Sequence, residues 1–112
     1  MGPGRGQKEL YQEIAETHWK EWNAKIDLLL QRVRGAKADR DFAIRRDLAE
    51  LQRRQYVLTA LLGDLQRAGR KNWEGTKDDL EAMFESVRRA YDRLAARYQE
   101  RTAGMTSGAR RA

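Results

Sequence analysis

The chain has no cysteine and a single proline among its 112 residues. Without cysteine there is no disulfide framework and no thiolate for nucleophilic or redox chemistry. Long apolar runs are missing too: none exceeds three residues, as in Leu28-Leu29-Leu30, whereas a membrane span needs ~20. The opening stretch MGPGRGQKELYQ holds no apolar segment that could act as a signal peptide. These absences describe a soluble chain, cytoplasmic by default. Histidine occurs once, at His18, with only Glu21 at i+3 to accompany it, and metal sites want clustered ligands. No phosphate-binding glycine loop, nucleophile elbow or metalloprotease motif is present. The adjacent pair Asp78 and Asp79 falls near a helix start, where the helix dipole explains it better than acid–base work. The expectation is a non-enzymatic protein with no cofactor, no metal and no small-molecule substrate.

Charge is what the chain has in abundance. Charged residues make up 36% of it, and the formal net charge is +6. The excess is uneven. Residues 35–71 carry nine basic against five acidic groups, and Arg110 and Arg111 add two more positive charges near the C-terminal end. Such asymmetry suits a polyanionic partner, and arginine-rich coiled coils also show it without one.

Apolar residues recur at helical spacing almost throughout. Ala15, Trp19, Trp22, Ile26, Leu29 and Val33 step 4-3-4-3-4. Ile44, Leu48, Leu51, Gln55, Leu58, Leu62 and Leu65 continue the same rhythm, as do Trp73, Thr76, Leu80, Met83, Val87, Ala90 and Leu94. Each set is a heptad seam of the coiled-coil type, so the chain is all-α. Trp19 and Trp22 are then consecutive seam positions, with packing as their role. Gln55 sits where an apolar residue is expected. It either fixes register or reaches solvent at a loosely packed position.

The first two seams differ in phase, because Val33 and Ile44 are eleven residues apart. A continuous helix from about Lys8 to about Ala68 absorbs this as a four-residue stutter. Glycine costs such a helix only about 1 kcal/mol relative to alanine, and no proline lies near Gly35. The expected fold is accordingly a long helix, ~90 Å at ~1.5 Å per residue, folded back on a shorter antiparallel one as a coiled-coil hairpin. The alternative is a three-helix bundle with a turn at Gly35. A firmer break lies at RAGRKNW, residues 67–73, where Gly69 can adopt the left-handed stop and Asn72 can cap the next helix. Thr76, with Asp79 three residues on, is a rival start. The expected layout is a tail over residues 1–7, helices over about 8–68 and 73–101, and a second tail over 102–112.

Phe84, Tyr91 and Tyr98 repeat every seven residues beside the third seam, and Leu61 and Ala68 flank the second. A two-helix hairpin has no interior for this surplus, which calls for helices from a second copy or a helical partner. Arg46, Arg53 and Arg67 lie seven or fourteen apart, outward from the seam, and with Arg110 and Arg111 are the candidates for polyanion contact. Solvated i,i+4 pairing such as Glu50–Arg54 is the plainer account. The stripe shows no aromatic interleaving of the kind single-strand binders use. A membrane surface fits less well, because the seams are narrow and regular.

Two stretches, YQEIAETHWKEWNAKIDLLLQR and AGRKNWEGTKDDLEAMFESVRRAYDRLAARY, resemble a family of small bacterial coiled-coil proteins often labelled stress-response or hypothetical proteins. The likeness covers roughly residues 11–98. It implies a long helix folded back on a shorter one, with no catalytic residues to carry over. This chain departs from the family in being arginine-rich and basic. The functional expectation is a scaffolding or interaction protein acting through helix self-association, with a stress-related role implied by the resemblance. The alternative is a basic accessory protein that binds RNA, DNA or a nucleoprotein particle through the arginine stripe.

Overall fold

The computed structural model describes the backbone of residues 6–111 and the side chains of residues 6–103. Three helices account for nearly all of it: α1 over Gln7–Gly35, α2 over Phe42–Arg67 and α3 over Trp73–Arg111. No strand occurs among the described residues. The all-α expectation holds, and the architecture is the three-helix alternative.

The continuous helix from 8 to 68 is not found. α1 ends at Gly35, and the break is made by its neighbours more than by the glycine itself. Lys37 takes the left-handed conformation (φ 57°), while no described glycine has a positive φ. The N–H groups of Ala36 and Lys37 donate to the carbonyls of Arg32 and Arg34 at 3.0 Å each. One 3₁₀ turn follows over Ala38–Arg40, and Ala38 is fully buried beneath it. Asp41, in extended backbone, then caps α2. Its carboxylate accepts from the N–H groups of Ala43 (2.9 Å) and Ile44 (3.2 Å). An aspartate cap satisfies donors that would otherwise be orphaned at the helix start. The eleven-residue spacing between seams therefore belongs to a turn and not to a stutter.

This placement gives a paired expectation. Lys37→Gly removes the steric cost of a left-handed side chain and is expected to stabilise the protein by about 1 kcal/mol. Gly35→Ala is expected to be neutral or stabilising by up to about 1 kcal/mol, because a Cβ there meets nothing within 4 Å. Urea unfolding checks both. A loss from Gly35→Ala together with no gain from Lys37→Gly would contradict the turn as described.

The second break also differs in mechanism from expectation. α2 ends at Arg67, and the chain leaves it through extended Ala68 (φ −70°, ψ 144°), without a left-handed Gly69. The N–H of Asn72 donates to the Gly69 carbonyl at 3.1 Å, and α3 starts at Trp73, not at Thr76. α3 then continues to Arg111, past the expected helix end near residue 101, so residues 102–111 of the expected tail are helical, and residue 112 lies outside the described residues. Helix α1 begins at Gln7, and residues 1–5 of the expected N-terminal tail lie outside the described residues.

Contacts along the helices fix their directions. Trp19 reaches Thr59 and Asn23 reaches Gln55, so α1 and α2 are antiparallel. Arg54 bonds Ser86, Asp47 bonds Arg97 and Asp41 bonds Arg101, so α2 and α3 are antiparallel as well. α1 and α3 therefore run parallel. The molecule measures 70 × 24 × 17 Å, and α2 and α3 make its closest helix pair. The core is the three seams facing one another: Ile26, Val33, Ile44, Leu51, Leu58, Leu65, Leu80, Val87 and Leu94 are all fully enclosed. Trp19, Leu29, Leu62 and Trp73 are buried, and Trp22, Leu48 and Met83 pack half-buried at the margin. The seams are thus spent within one chain.

Candidate functional site

Because α1 and α3 are parallel, residues at similar heights on each face one another, and an open groove runs between them. Aromatic pairs line it along its length. Tyr11 lies against Trp73 with ring centroids 5.9 Å apart. His18 stacks on Phe84 at 4.7 Å, and Phe84 also meets the edge of Trp19 at 6.1 Å. Trp22 and Tyr91 meet edge to face at 5.4 Å. At the far end the Tyr98 hydroxyl donates to the Arg32 carbonyl (3.3 Å). Two lysines sit over these rings: Lys77 over Tyr11 (5.5 Å) and Trp73, and Lys25 over Trp22 (4.9 Å) and Tyr91. Such cation–π contacts hold a charge near apolar surface without burying it.

Part of the surplus apolar width is thereby absorbed within the chain, since α1 covers one side of Phe84, Tyr91 and Tyr98. The other side stays open. A hollow of about 420 Å³ lies between Tyr11, Ile14, His18, Trp22, Phe84 and Arg88. A second, about 590 Å³, lies farther along between Leu29, Tyr91, Ala95 and Tyr98. Ile14 is 65% exposed and Leu10 49% exposed at the rim. Charge along the rim is mixed at one end and basic toward the other. Asp78, Glu81 and Glu85 of α3 lie toward the Tyr11 end among Lys77 and Arg88, Glu21 of α1 lies near the middle, and Lys25 and Arg32 lie toward the Tyr98 end. Burial pushes the Tyr11 phenol above its ordinary value, and repulsion from Glu81 and Asp78 adds to this.

His18 serves this groove as a flat packing surface on Phe84. No group of three or more His, Cys, Asp or Glu is placed to hold a metal ion among the described residues. No helix among them is long and apolar enough to cross a membrane.

The arginine stripe divides. Arg53 pairs with Glu50 at 3.2 Å and Arg67 with Asp64 at 2.7 Å, both at the surface. Arg46 has no ion-pair partner among the described residues. It borders a groove between α2 and α3 with Asp47, Glu50, Arg54, Arg93 and Arg97, of about 530 Å³. The side chains of Arg110 and Arg111 lie outside the described residues. Asp47, only 5% exposed, is the one charged group in the core among the described residues, and it accepts from Arg97 Nε at 2.6 Å. This pairing raises the Arg97 pKa above its ordinary value. Six residues earlier, Asp41 is held below the usual carboxylate range, first by the Ile44 N–H, then by the Ala43 N–H and the charges of Arg101 and Arg97. Gln55 is not simply turned to solvent: its amide donates to Asn23 Oδ1 of α1 at 3.1 Å.

The expectation that aromatics are absent from the arginine stripe is corrected. Phe42 and Tyr56 are 70% and 77% exposed, and both lie on the outward face of α2 with Arg46 and Arg53. The signal was available in the spacing, since 42, 46, 49, 53 and 56 step 4-3-4-3 and share one helical stripe. A comparison of the chain with family models, with curated proteins and with solved structures finds no match in any of the three.

Proposed function

We propose that this chain is a non-enzymatic helix-association protein, and that two copies pair antiparallel through the α1–α3 groove. The observation that carries the reading is the aromatic lining left open on one side, with Ile14 and Leu10 exposed at its rim. Grooves of this kind take an amphipathic helix or a like surface, and large exposed apolar patches mark interaction sites. The seams themselves cannot serve, because they are used inside the chain. Charge selects the second copy and its direction. An antiparallel partner sets Asp78, Glu81 and Glu85 of each copy toward Lys25 and Arg32 of the other. A parallel partner sets these carboxylates against their own counterparts. The antiparallel contact is isologous and closes as a dimer. The resemblance to coiled-coil proteins labelled as stress-response proteins fits an assembling role of this kind.

Light scattering tests the reading. The expected mass is twice 13.0 kDa for the unaltered chain and 13.0 kDa for Ile14→Glu, with helix content retained because Ile14 is mostly in solvent. Direction follows from single-cysteine reporters, which the cysteine-free chain permits. Residue 21 lies near the midpoint of the groove, so Glu21→Cys is expected to form a disulfide across the two-fold axis, and Ile14→Cys is not. A 13.0 kDa mass for the unaltered chain at about 100 µM would overturn the pairing.

A further inference from the structure

The side of the bundle away from that groove carries a surface of different chemistry. On the outward stripe of α2, Phe42, Arg46, Ala49, Arg53, Tyr56 and Ala60 follow one another at steps of 4-3-4-3-4, and none is acidic. Phe42 and Tyr56 are mostly exposed. Their rings stand in solvent about 21 Å apart along the helix at ~1.5 Å per residue. Beside the stripe runs the α2–α3 groove, with four arginines and two carboxylates on its walls. Both carboxylates are committed: Asp47 to Arg97 at 2.6 Å, and Glu50 to Arg53 at 3.2 Å and Arg54 at 2.9 Å. Arg46 on α2 and Arg93 on α3 are left on the groove with no ion-pair partner among the described residues. Like charges across a groove repel, and an anion between them relieves this.

From this juxtaposition we infer that the outward face of α2 and the adjoining groove bind single-stranded nucleic acid, with phosphates on Arg46 and Arg93 and bases stacked on Phe42 and Tyr56. Phosphate contacts from arginine supply affinity without reading sequence. Exposed rings add stacking, because every base has a π-face. A duplex hides its base faces and gives the two rings nothing to stack on, so the strand is single. A lipid surface matches less well, since Phe42 and Tyr56 are separated by arginines and alanines and form no continuous apolar face. The site shares no residue with the α1–α3 groove, so the two proposals stand or fall separately.

Fluorescence polarisation with a labelled 20-nucleotide oligo-dT or oligo-U, and with a duplex of the same length, tests the inference. Saturable, micromolar binding to the single strands at about 100 mM salt is expected, with the duplex weaker. Phe42→Ala and Tyr56→Ala are each expected to weaken single-strand binding roughly five- to a hundredfold. Arg46→Gln and Arg93→Gln are each expected to reduce the slope of log affinity against log salt by about 0.7. All four side chains are exposed, so melting temperature and assembled mass are expected to stay as in the unaltered chain, which separates lost binding from lost folding. The inference is overturned by any of three results: no saturable single-strand binding at low salt, duplex binding as tight as single-strand binding, or aromatic variants that bind like the unaltered chain. Tighter binding to anionic vesicles than to oligonucleotides would overturn it too, in favour of a membrane surface.

Discussion

Trp19→Ala is expected to destabilise the protein by about 3–5 kcal/mol, and Trp22→Ala by clearly less. The two tryptophans are three residues apart in one seam, and in sequence nothing separates them. In the fold they differ. Trp19 is 5% exposed, meets the edge of Phe84 and donates its indole N–H to the Thr59 hydroxyl at 3.2 Å, so one side chain ties α1 to both other helices. Truncation removes the largest side chain at that level and opens a cavity that three rigid helices cannot collapse to fill. Trp22 is only half-buried, and its ring is shared between Tyr91 and the Lys25 ammonium. Alanine there exposes part of Tyr91 to water without leaving an enclosed hole. Urea titrations of the two variants check the order. Equal losses would mean that both tryptophans are enclosed alike, and that the α1–α3 groove is closed.

What the sequence made legible was the apolar face of each helix, because a face depends only on local periodicity. Among the described residues seventeen apolar residues are buried, and all but Leu30 and Ala38 occupy the three heptad seams. Helix number was harder to read. An eleven-residue spacing between seams is equally a stutter and a turn, and Gly35, the obvious breaker, is not where the strain falls. The informative residue was Asp41: an N-cap immediately before Phe42-Ala43-Ile44 announces a helix start, and it is bonded as one. Once helix number is misjudged, the surplus of Phe84, Tyr91 and Tyr98 looks larger than it is, because a third helix already covers one side of it. The fates of the outward aromatics could not be read from seams at all. Phe42 and Tyr56 remain in solvent because none of the described helices lies over the back of α2, which is a matter of tertiary arrangement.

The run Leu28-Leu29-Leu30 turns that arrangement into a measurement. In a two-helix hairpin a single seam buries Leu29 and leaves both neighbours at its edge. In the three-helix bundle α1 must face two partners, and two adjacent positions go inside: Leu29 and Leu30 are 5% and 8% exposed, while Leu28 is 55% exposed. Leu29→Ala and Leu30→Ala are therefore both expected to cost about 2–5 kcal/mol. Leu28→Ala is expected to change stability by less than about 0.5 kcal/mol, because it uncovers no core and alanine is a good helix former. Leu30 is the decisive position. Its burial needs α1 wedged between α2 and α3, which follows from the chain reversing at residues 36–41. A Leu30→Ala variant as stable as Leu28→Ala, with Leu29→Ala alone destabilised, would return the molecule to a single-seam hairpin. Losses at both Leu29 and Leu30 would fix the three-helix packing, and with it the open α1–α3 groove through which the chain is proposed to associate.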